Sequence, residues 1–111
     1  MKDIINRETV MICAHRGFTR SAPENSLQAV LDAIEAGFEA VEIDVRHTKD
    51  GELVLMHDAT VDRTSNGRGK VEVLSSAELK NVRLLWRGKP FALSLVCSSI
   101  TPWQDISIRP I

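Results

Sequence analysis

The chain has 111 residues, of which 43% are hydrophobic and 26% are charged, as is usual for one globular domain with a modest core. Its 14 lysines and arginines against 15 aspartates and glutamates give a net charge of −1, which argues against a protein that binds nucleic acid or acidic membranes. Its two cysteines lack metal-type spacing, and Cys13, in an apolar run, is expected to be buried. Neither a signal peptide nor a membrane span is predicted, so we expect a cytoplasmic protein.

The first predicted unit is a strand, a loop and a helix. Residues 10–14 are continuously apolar, as in a strand that is covered on both faces. Ser26 is a favourable helix N-cap, apolar residues then recur at helical spacing as far as Ile34, and Gly37 ends the pattern. This order of elements predicts an α/β fold.

A β-hairpin is predicted next. Residues 40–46 alternate between apolar and polar side chains, residues 53–57 form a second strand, and the Asp50-Gly51 pair between them is a strong hairpin signal. A two-residue loop would place Asp44 directly opposite His57. In that register, one face carries Glu42, Asp44 and His57, and the other carries Val41, Ile43, Val45, Val54 and Met56.

The remaining sequence is less regular. Residues 62–69 form a loop by composition, and Ser75 with Glu78 makes a capping box that predicts a short helix. From about residue 84 onward, the pattern predicts one strand within residues 91–96 and little else.

Several residues at the ends of the predicted strands suit phosphate and metal chemistry. Glu42 and Asp44 can hold a hard divalent cation through oxygen ligands, but the same spacing also fits the solvated face of an edge strand. His15 and His57 suit proton transfer near neutral pH, although a single histidine at a strand end is more often structural. Arg16 can bind a phosphate group bidentately. Strand ends are also where α/β barrels keep their chemistry.

Six short segments, in this order and spacing, resemble the glycerophosphodiester phosphodiesterase family. The segments are His15-Arg16-Gly17, Pro23-Glu24-Asn25-Ser26, Glu42 with Asp44, Thr48-Lys49-Asp50-Gly51, His57-Asp58 and Asp62-Arg63-Thr64-Ser65-Asn66-Gly67. The resemblance covers roughly residues 10 to 83. It implies that residues 8–83 are the N-terminal part of a TIM-type (β/α) barrel, with only its first strands and helices and with a β-hairpin at the site.

The resemblance also implies an activity, the metal-assisted hydrolysis of glycerophosphodiesters to glycerol 3-phosphate and an alcohol. By this resemblance, His15 and His57 would be the general acid/base pair, and Arg16 would bind the substrate phosphate. Glu42 and Asp44 would be two of three protein ligands to Mg²⁺ or Ca²⁺. Asp58 is interpreted as supporting structure on the opposite face from His57.

Residues 84–111 do not follow the family pattern. Family members are more than twice this length and take a third acidic ligand, followed by a lysine, from a later strand, whereas the only acid after Glu78 here is Asp105. A complete barrel of this type needs about 250 residues. We therefore interpret the tail as a truncated or out-of-frame end, and open barrel edges predict self-association. The alternative function is that of a non-catalytic remnant or a fragment that binds phosphate esters.

Overall fold

The structure, a computed structural model, describes residues 12–95 and the backbone of residues 107–110. Its strands are β1 (Cys13–His15), β2 (Ala40–His47), β3 (Leu53–Leu55), β4 (Arg83–Trp86), β5 (Lys89–Ala92) and β6 (Ser107–Pro110). Its helices are α1 (Leu27–Glu35) and α2 (Ser76–Leu79), and a 3₁₀ turn covers Val71–Val73. The predicted α/β class is confirmed.

Strand β2 is the centre of the main sheet. It runs parallel to β1, with Ala14 beside Val41, and parallel to β6, with Glu42 beside Ser107. β3 returns antiparallel to β2, while β4 and β5 form a separate two-stranded sheet. The elements β1, α1 and β2 thus make a parallel strand–helix–strand unit, the kind from which α/β barrels are built. Among the described residues the sheet is open and does not close into a barrel.

Helix α1 begins and ends where its caps predict. The Ser26 hydroxyl accepts a hydrogen bond from the Ala29 N–H at 3.1 Å, which satisfies one of the free donors of the first turn. At the other end, Gly37 has a φ of 86° and donates its N–H to the Ile34 carbonyl. A glycine takes this left-handed conformation without the steric cost that other residues meet.

Two hydrophobic clusters lie on opposite faces of β3, and β2 contributes to the first of them. The first, between the sheet and α1, contains Ala14, Val30, Ala33, Val41, Ile43, Val45 and Leu55. The second contains Val54, Met56, Val61, Val71, Leu79 and Leu84. Each fully buried aliphatic side chain contributes about 1.5–3 kcal/mol to folding, so the two clusters fix the orientation of the hairpin strongly.

The hairpin register differs by one residue from the prediction. Arg46 pairs with Val54, and the Met56 N–H donates to the Asp44 carbonyl at 3.0 Å. Asp44 therefore opposes Met56, and the prediction that it opposes His57 is wrong. The shift also turns Val54 and Met56 away from their predicted face and into the second cluster.

The register shift arises because the hairpin loop has three residues rather than two. The Thr48 N–H donates to the Glu52 carbonyl at 2.8 Å, and these two residues close a loop over residues 49–51. The Thr48 hydroxyl also donates to the Asp50 carboxylate at 2.6 Å. Gly51 has a φ of 83°, the left-handed residue that three-residue hairpin loops require.

The second half of the chain contains one correctly predicted feature and one that was missed. The Ser75 hydroxyl accepts from the Glu78 N–H, and the Glu78 carboxylate accepts from the Ser75 N–H, so the capping box before α2 is confirmed. The β4–β5 hairpin was not predicted. Its turn is Arg87-Gly88, in which both residues have positive φ, as two-residue hairpin turns of this kind require.

Other predictions from the sequence have mixed outcomes. Cys13 is exposed on β1, so the expectation that it is buried is wrong. Residues 10, 11 and 96 of the predicted strands, and Asp105, lie outside the described residues. Over the described part of the chain, every helix is too short or too polar to cross a membrane.

Candidate active site

The end of β1 and the middle of β2 bring together four of the residues predicted to form the site. His15 pairs in register with Glu42, and its Nε2 lies 3.2 Å from the Glu42 carboxylate. The Nε of Arg16 lies 3.7 Å from the Asp44 carboxylate. Because Glu42 and Asp44 are two residues apart on one strand, both carboxylates belong to the same face of β2. The His15 side chain is 65% exposed and is open to a ligand from solvent.

Arg16 is held in an uncommon backbone conformation at this edge. Its φ is 59°, and that of Gly17 is 88°, so the chain turns sharply as it leaves β1. Positive φ is rare outside glycine and tends to persist at functional sites, where the surrounding structure enforces it. The guanidinium donates from Nη1 to Glu24 at 3.0 Å, and its Nε is buried with no hydrogen-bond partner in the described part of the chain.

Asn25 fixes the position of Asp44. Both residues are 2% exposed. The Asn25 amide donates to the Asp44 carboxylate at 3.0 Å, while its oxygen accepts from the Asp44 backbone N–H at 2.9 Å. Asn25 also donates its own backbone N–H to the Arg16 carbonyl at 2.9 Å. A buried carboxylate needs such partners, and these contacts hold it in one orientation.

His57 lies just beyond β3 and is held from two sides. Its backbone carbonyl accepts two hydrogen bonds from the Arg46 guanidinium, at 3.1 and 2.7 Å. Its Nδ1 lies 2.7 Å from the Asp58 carboxylate. Asp58 therefore contacts His57 directly, and the prediction that it faces away is wrong.

A chain of charged side chains connects Arg16, the predicted phosphate-binding residue, with His57, a predicted proton-transfer residue. The Arg63 guanidinium donates to Asp58 at 2.8 and 3.2 Å and to Glu24 at 2.9 and 3.0 Å, so it binds both carboxylates bidentately. Glu24 in turn accepts from Arg16, and Asp58 contacts His57. The contacts thus run without a break from the imidazole to the guanidinium beside Asp44.

These contacts fix the charges of the connecting groups. The hydrogen bond from Arg63 lowers the pKa of Glu24 despite partial burial. Hydrogen bonds from Arg63 and then from His57 hold the pKa of Asp58 well below its usual range, and the two carboxylates raise the pKa of Arg63. Asp58 is therefore ionised near neutral pH and only accepts hydrogen bonds. The proton of a neutral His57 ring then resides on Nδ1, and Nε2 keeps its lone pair.

Glu24, Asn25 and Arg63 are site residues to which the sequence analysis assigned no role. Each lies in a loop segment that the family resemblance includes, so that resemblance was the available signal. Among residues 12–95, no cluster of three or more His, Cys, Asp or Glu is arranged to hold a metal ion. On β6, the position in register with Glu42 is Ser107, and the described part of that strand contains no acidic residue.

The sequence of this chain matches a known protein family. The chain matches the model of the Glycerophosphoryl diester phosphodiesterase family over residues 15–105. A glycerophosphodiester phosphodiesterase of Caldanaerobacter subterraneus is 46% identical over 72 residues, which make up 65% of this chain and 30% of that protein. Glycerophosphodiester phosphodiesterase 1 of Homo sapiens is 42% identical over 76 residues, which make up 68% of this chain and 23% of that protein.

Solved structures show the same relationship. A glycerophosphodiester phosphodiesterase from Agrobacterium tumefaciens superposes with a TM-score of 0.82 at 31% identity, over 92% of this chain and 47% of that one. An Oleispira antarctica phosphodiesterase, solved with the product sn-glycerol-3-phosphate, gives a TM-score of 0.77 at 29% identity, over 91% and 45%. The chain thus spans less than a third of these curated relatives and less than half of these structures. Because the family match covers most of its length, the chain belongs to the glycerophosphoryl diester phosphodiesterase family.

Proposed function

We propose that the chain carries the first part of a metal-assisted site that hydrolyses glycerophosphodiesters to glycerol 3-phosphate and an alcohol. The observation that carries the proposal is the convergence of His15 and Arg16, at the end of β1, with Glu42 and Asp44 on the neighbouring parallel strand β2. Family membership supports the reaction class, and the described elements would be the first units of the barrel.

The donor set fits a hard divalent cation in part. Glu42 and Asp44 supply two carboxylates on one strand face, and Mg²⁺ is commonly held by one or two carboxylates together with waters and substrate phosphate. In this proposal they would hold Mg²⁺ or Ca²⁺, which would supply Lewis-acid neutralisation of the phosphate charge. Asn25 contributes by holding Asp44 in one orientation, which lowers the cost of assembling the ligand set.

Arg16 is the proposed phosphate-binding residue. Its Nε is buried 3.7 Å from the Asp44 carboxylate, so this end of the guanidinium is held beside the proposed metal ligand. Glu24 accepts from Nη1 and so fixes the plane of the guanidinium. A planar guanidinium held in this way can present its remaining donors to a phosphate group without losing further conformational freedom.

The two histidines are the proposed proton-transfer groups. Asp58 holds the proton on Nδ1 of His57, so Nε2 of that ring can accept a proton from a reacting hydroxyl or water. His15 is exposed, and its Nε2 lies 3.2 Å from the Glu42 carboxylate, so we assign it as the proton donor to the leaving oxygen. The assignment of acid and base between the two rings is part of the proposal.

A second candidate is a non-catalytic fragment that binds phosphate esters. It is favoured by the composition of β6, the strand parallel to β2, because none of its four residues is acidic. The affinity for a hard cation depends on ligand charge, so two carboxylates alone predict weak binding. We also propose self-association through the main sheet, which is open over the described residues.

The test is release of glycerol 3-phosphate from glycerophosphocholine by the purified chain, with Mg²⁺ or Ca²⁺ and with chelator. The His15→Ala and His57→Ala variants are compared with His47→Ala, a control at the exposed end of β2. We expect metal-dependent release that both site variants abolish and the control retains. Absence of release from soluble, folded protein would favour the non-catalytic candidate, and release unaffected by the site variants would refute the assignment of the histidines.

A further inference from the structure

Arg63 lies in the loop that follows β3 and reaches the loop that follows β1, and these two loops carry different proposed site residues. One loop follows β1 and contributes Glu24, which holds Arg16. The other follows β3 and contributes Asp58, which holds His57. Arg63 binds both carboxylates, and its partner Glu24 lies 39 residues away in sequence. It thereby joins loops that the sheet alone does not fix relative to each other.

We infer that Arg63 is a positioning residue that fixes the His57 imidazole and the Arg16 guanidinium relative to each other through Asp58 and Glu24. The inference rests on the proposed function, because it takes His57 and Arg16 as the residues that face the substrate. Within the described structure, the Arg63 side chain donates its hydrogen bonds to Glu24 and Asp58 and none to His57 or Arg16, so it acts through the two carboxylates.

The geometry favours orientation rather than stability as the role of Arg63. Its side chain is 49% exposed, and ion pairs in such positions contribute little to the free energy of folding because water screens them. Two bidentate contacts nevertheless define the plane of the guanidinium and the planes of both carboxylates. A lysine, with one compact ammonium group, cannot reproduce this arrangement.

Removing Arg63 has consequences at both ends of the network. Glu24 and Asp58 would be left as two ionised carboxylates with no cation between them, and they would repel each other. Asp58 would then turn toward solvent and no longer accept the hydrogen bond from Nδ1 of His57. Glu24 would pair with Arg16 in more than one geometry. The sequence offers a matched control in Arg68, which is 86% exposed and pairs with Asp62 at 3.4 Å.

The test is nuclear magnetic resonance of the metal-free and substrate-free chain, labelled with ¹⁵N. Two signals are followed, the Nδ1–H of His57 and the Nε–H of Arg16. We expect the wild-type chain to show both as slowly exchanging signals. In Arg63→Gln and Arg63→Lys, the His57 signal is expected to disappear through exchange with water, and the Arg16 signal is expected to shift. Arg68→Gln is expected to leave both unchanged.

A third variant within the network, besides the two at Arg63, tests whether the effect passes through the carboxylates. Glu24→Gln is expected to weaken the His57 Nδ1–H signal, although Glu24 does not contact that ring. Wild-type signals in folded Arg63→Gln, or equal changes in Arg68→Gln, would overturn the inference. Unfolding of all three network variants would also overturn it, because the bridge would then serve stability rather than orientation. Since no readout requires turnover, a chain that fails to hydrolyse glycerophosphocholine leaves the result interpretable.

Discussion

Substitution of Gly17 by alanine tests how the loop that carries Arg16 is held against α1. Gly17 has a φ of 88°, and a Cβ atom built on it would lie 2.7 Å from the Cβ of Ala29 and 2.9 Å from its backbone carbon. The next residue, Phe18, donates its N–H to the Ala29 carbonyl at 2.9 Å, so the loop cannot move away without losing this hydrogen bond. The new methyl group therefore meets backbone atoms that have little freedom to shift.

Two separate costs add up in Gly17→Ala. A residue with a Cβ in the left-handed region costs about 1–2 kcal/mol, and forcing one methyl group into a packed contact costs about 1–3 kcal/mol more. We expect the free energy of unfolding to fall by about 2–5 kcal/mol. Gly37→Ala is the matched control. Gly37 has a φ of 86°, but a Cβ atom on it would meet no heavy atom of the described residues within 4 Å, so only the first cost applies.

The measurement is urea denaturation of both variants and the wild-type chain at 25 °C. Alanine restricts the unfolded chain more than glycine does, which raises the free energy of unfolding in both variants. This contribution is the same in the two variants and cancels in their difference. We expect Gly17→Ala to be less stable than Gly37→Ala by about 1–3 kcal/mol, with similar denaturant slopes. Equal losses in the two variants would refute the close contact between the Arg16 loop and α1.

Hydrogen bonds at three other places can be tested in the same way. Asn25→Ala leaves the Asp44 side chain and N–H buried without partners, and we expect urea denaturation to show a loss of about 2–5 kcal/mol. Glu24 and Asp58 have pKa values below those of the unfolded chain, so their ionised forms stabilise the fold above about pH 4. We expect acid denaturation to show that this stabilisation is lost as the pH falls further. Ser75→Ala removes the cap of α2 and should cost about 1 kcal/mol by thermal denaturation.

Each of these predictions has its own control. Asn81→Ala, on an exposed residue after α2, should leave stability near that of the wild-type chain. Ser75→Thr keeps a capping hydroxyl and should lose less than Ser75→Ala. The Glu24→Gln and Asp58→Asn variants should each show a shallower loss of stability in acid, and an unchanged acid profile in both would contradict the cause given for their pKa values.

The features predicted correctly from the sequence are those set by neighbouring residues. The alternation along β2 placed Glu42 and Asp44 on one face because side-chain direction in a strand has a period of two. Likewise, the caps of α1 depend on Ser26 and Gly37 and on backbone groups within one turn of them. These patterns do not require knowledge of the rest of the fold.

The hairpin shows where local reasoning failed. The Asp50-Gly51 pair correctly indicated a turn, but its loop length depends on which residues close it. Thr48 closes the loop with Glu52 and also bonds Asp50, so one more residue enters the loop than the dipeptide signal suggests. That single residue reverses the face of every side chain that follows in β3.

The network around Arg63 could not be predicted from spacing. Its partner Glu24 belongs to another loop, and the two meet only because β1 and β3 both flank β2. A contact of this kind depends on the whole arrangement of the sheet. Each of the two segments, taken alone, has the composition of an ordinary surface loop. Only the family resemblance of the two segments indicated that they belong together.

The spacing of Glu42 and Asp44 has a consequence for how β2 finds its place in the sheet. If the strand slipped by one residue, both carboxylates would enter the aliphatic layer under α1, and Val41 and Ile43 would turn out of it. Moving an ionised carboxylate into such surroundings costs several kcal/mol. The acidic pair therefore disfavours the misaligned sheet during folding, and replacing both acids by apolar residues would loosen the alignment of this strand.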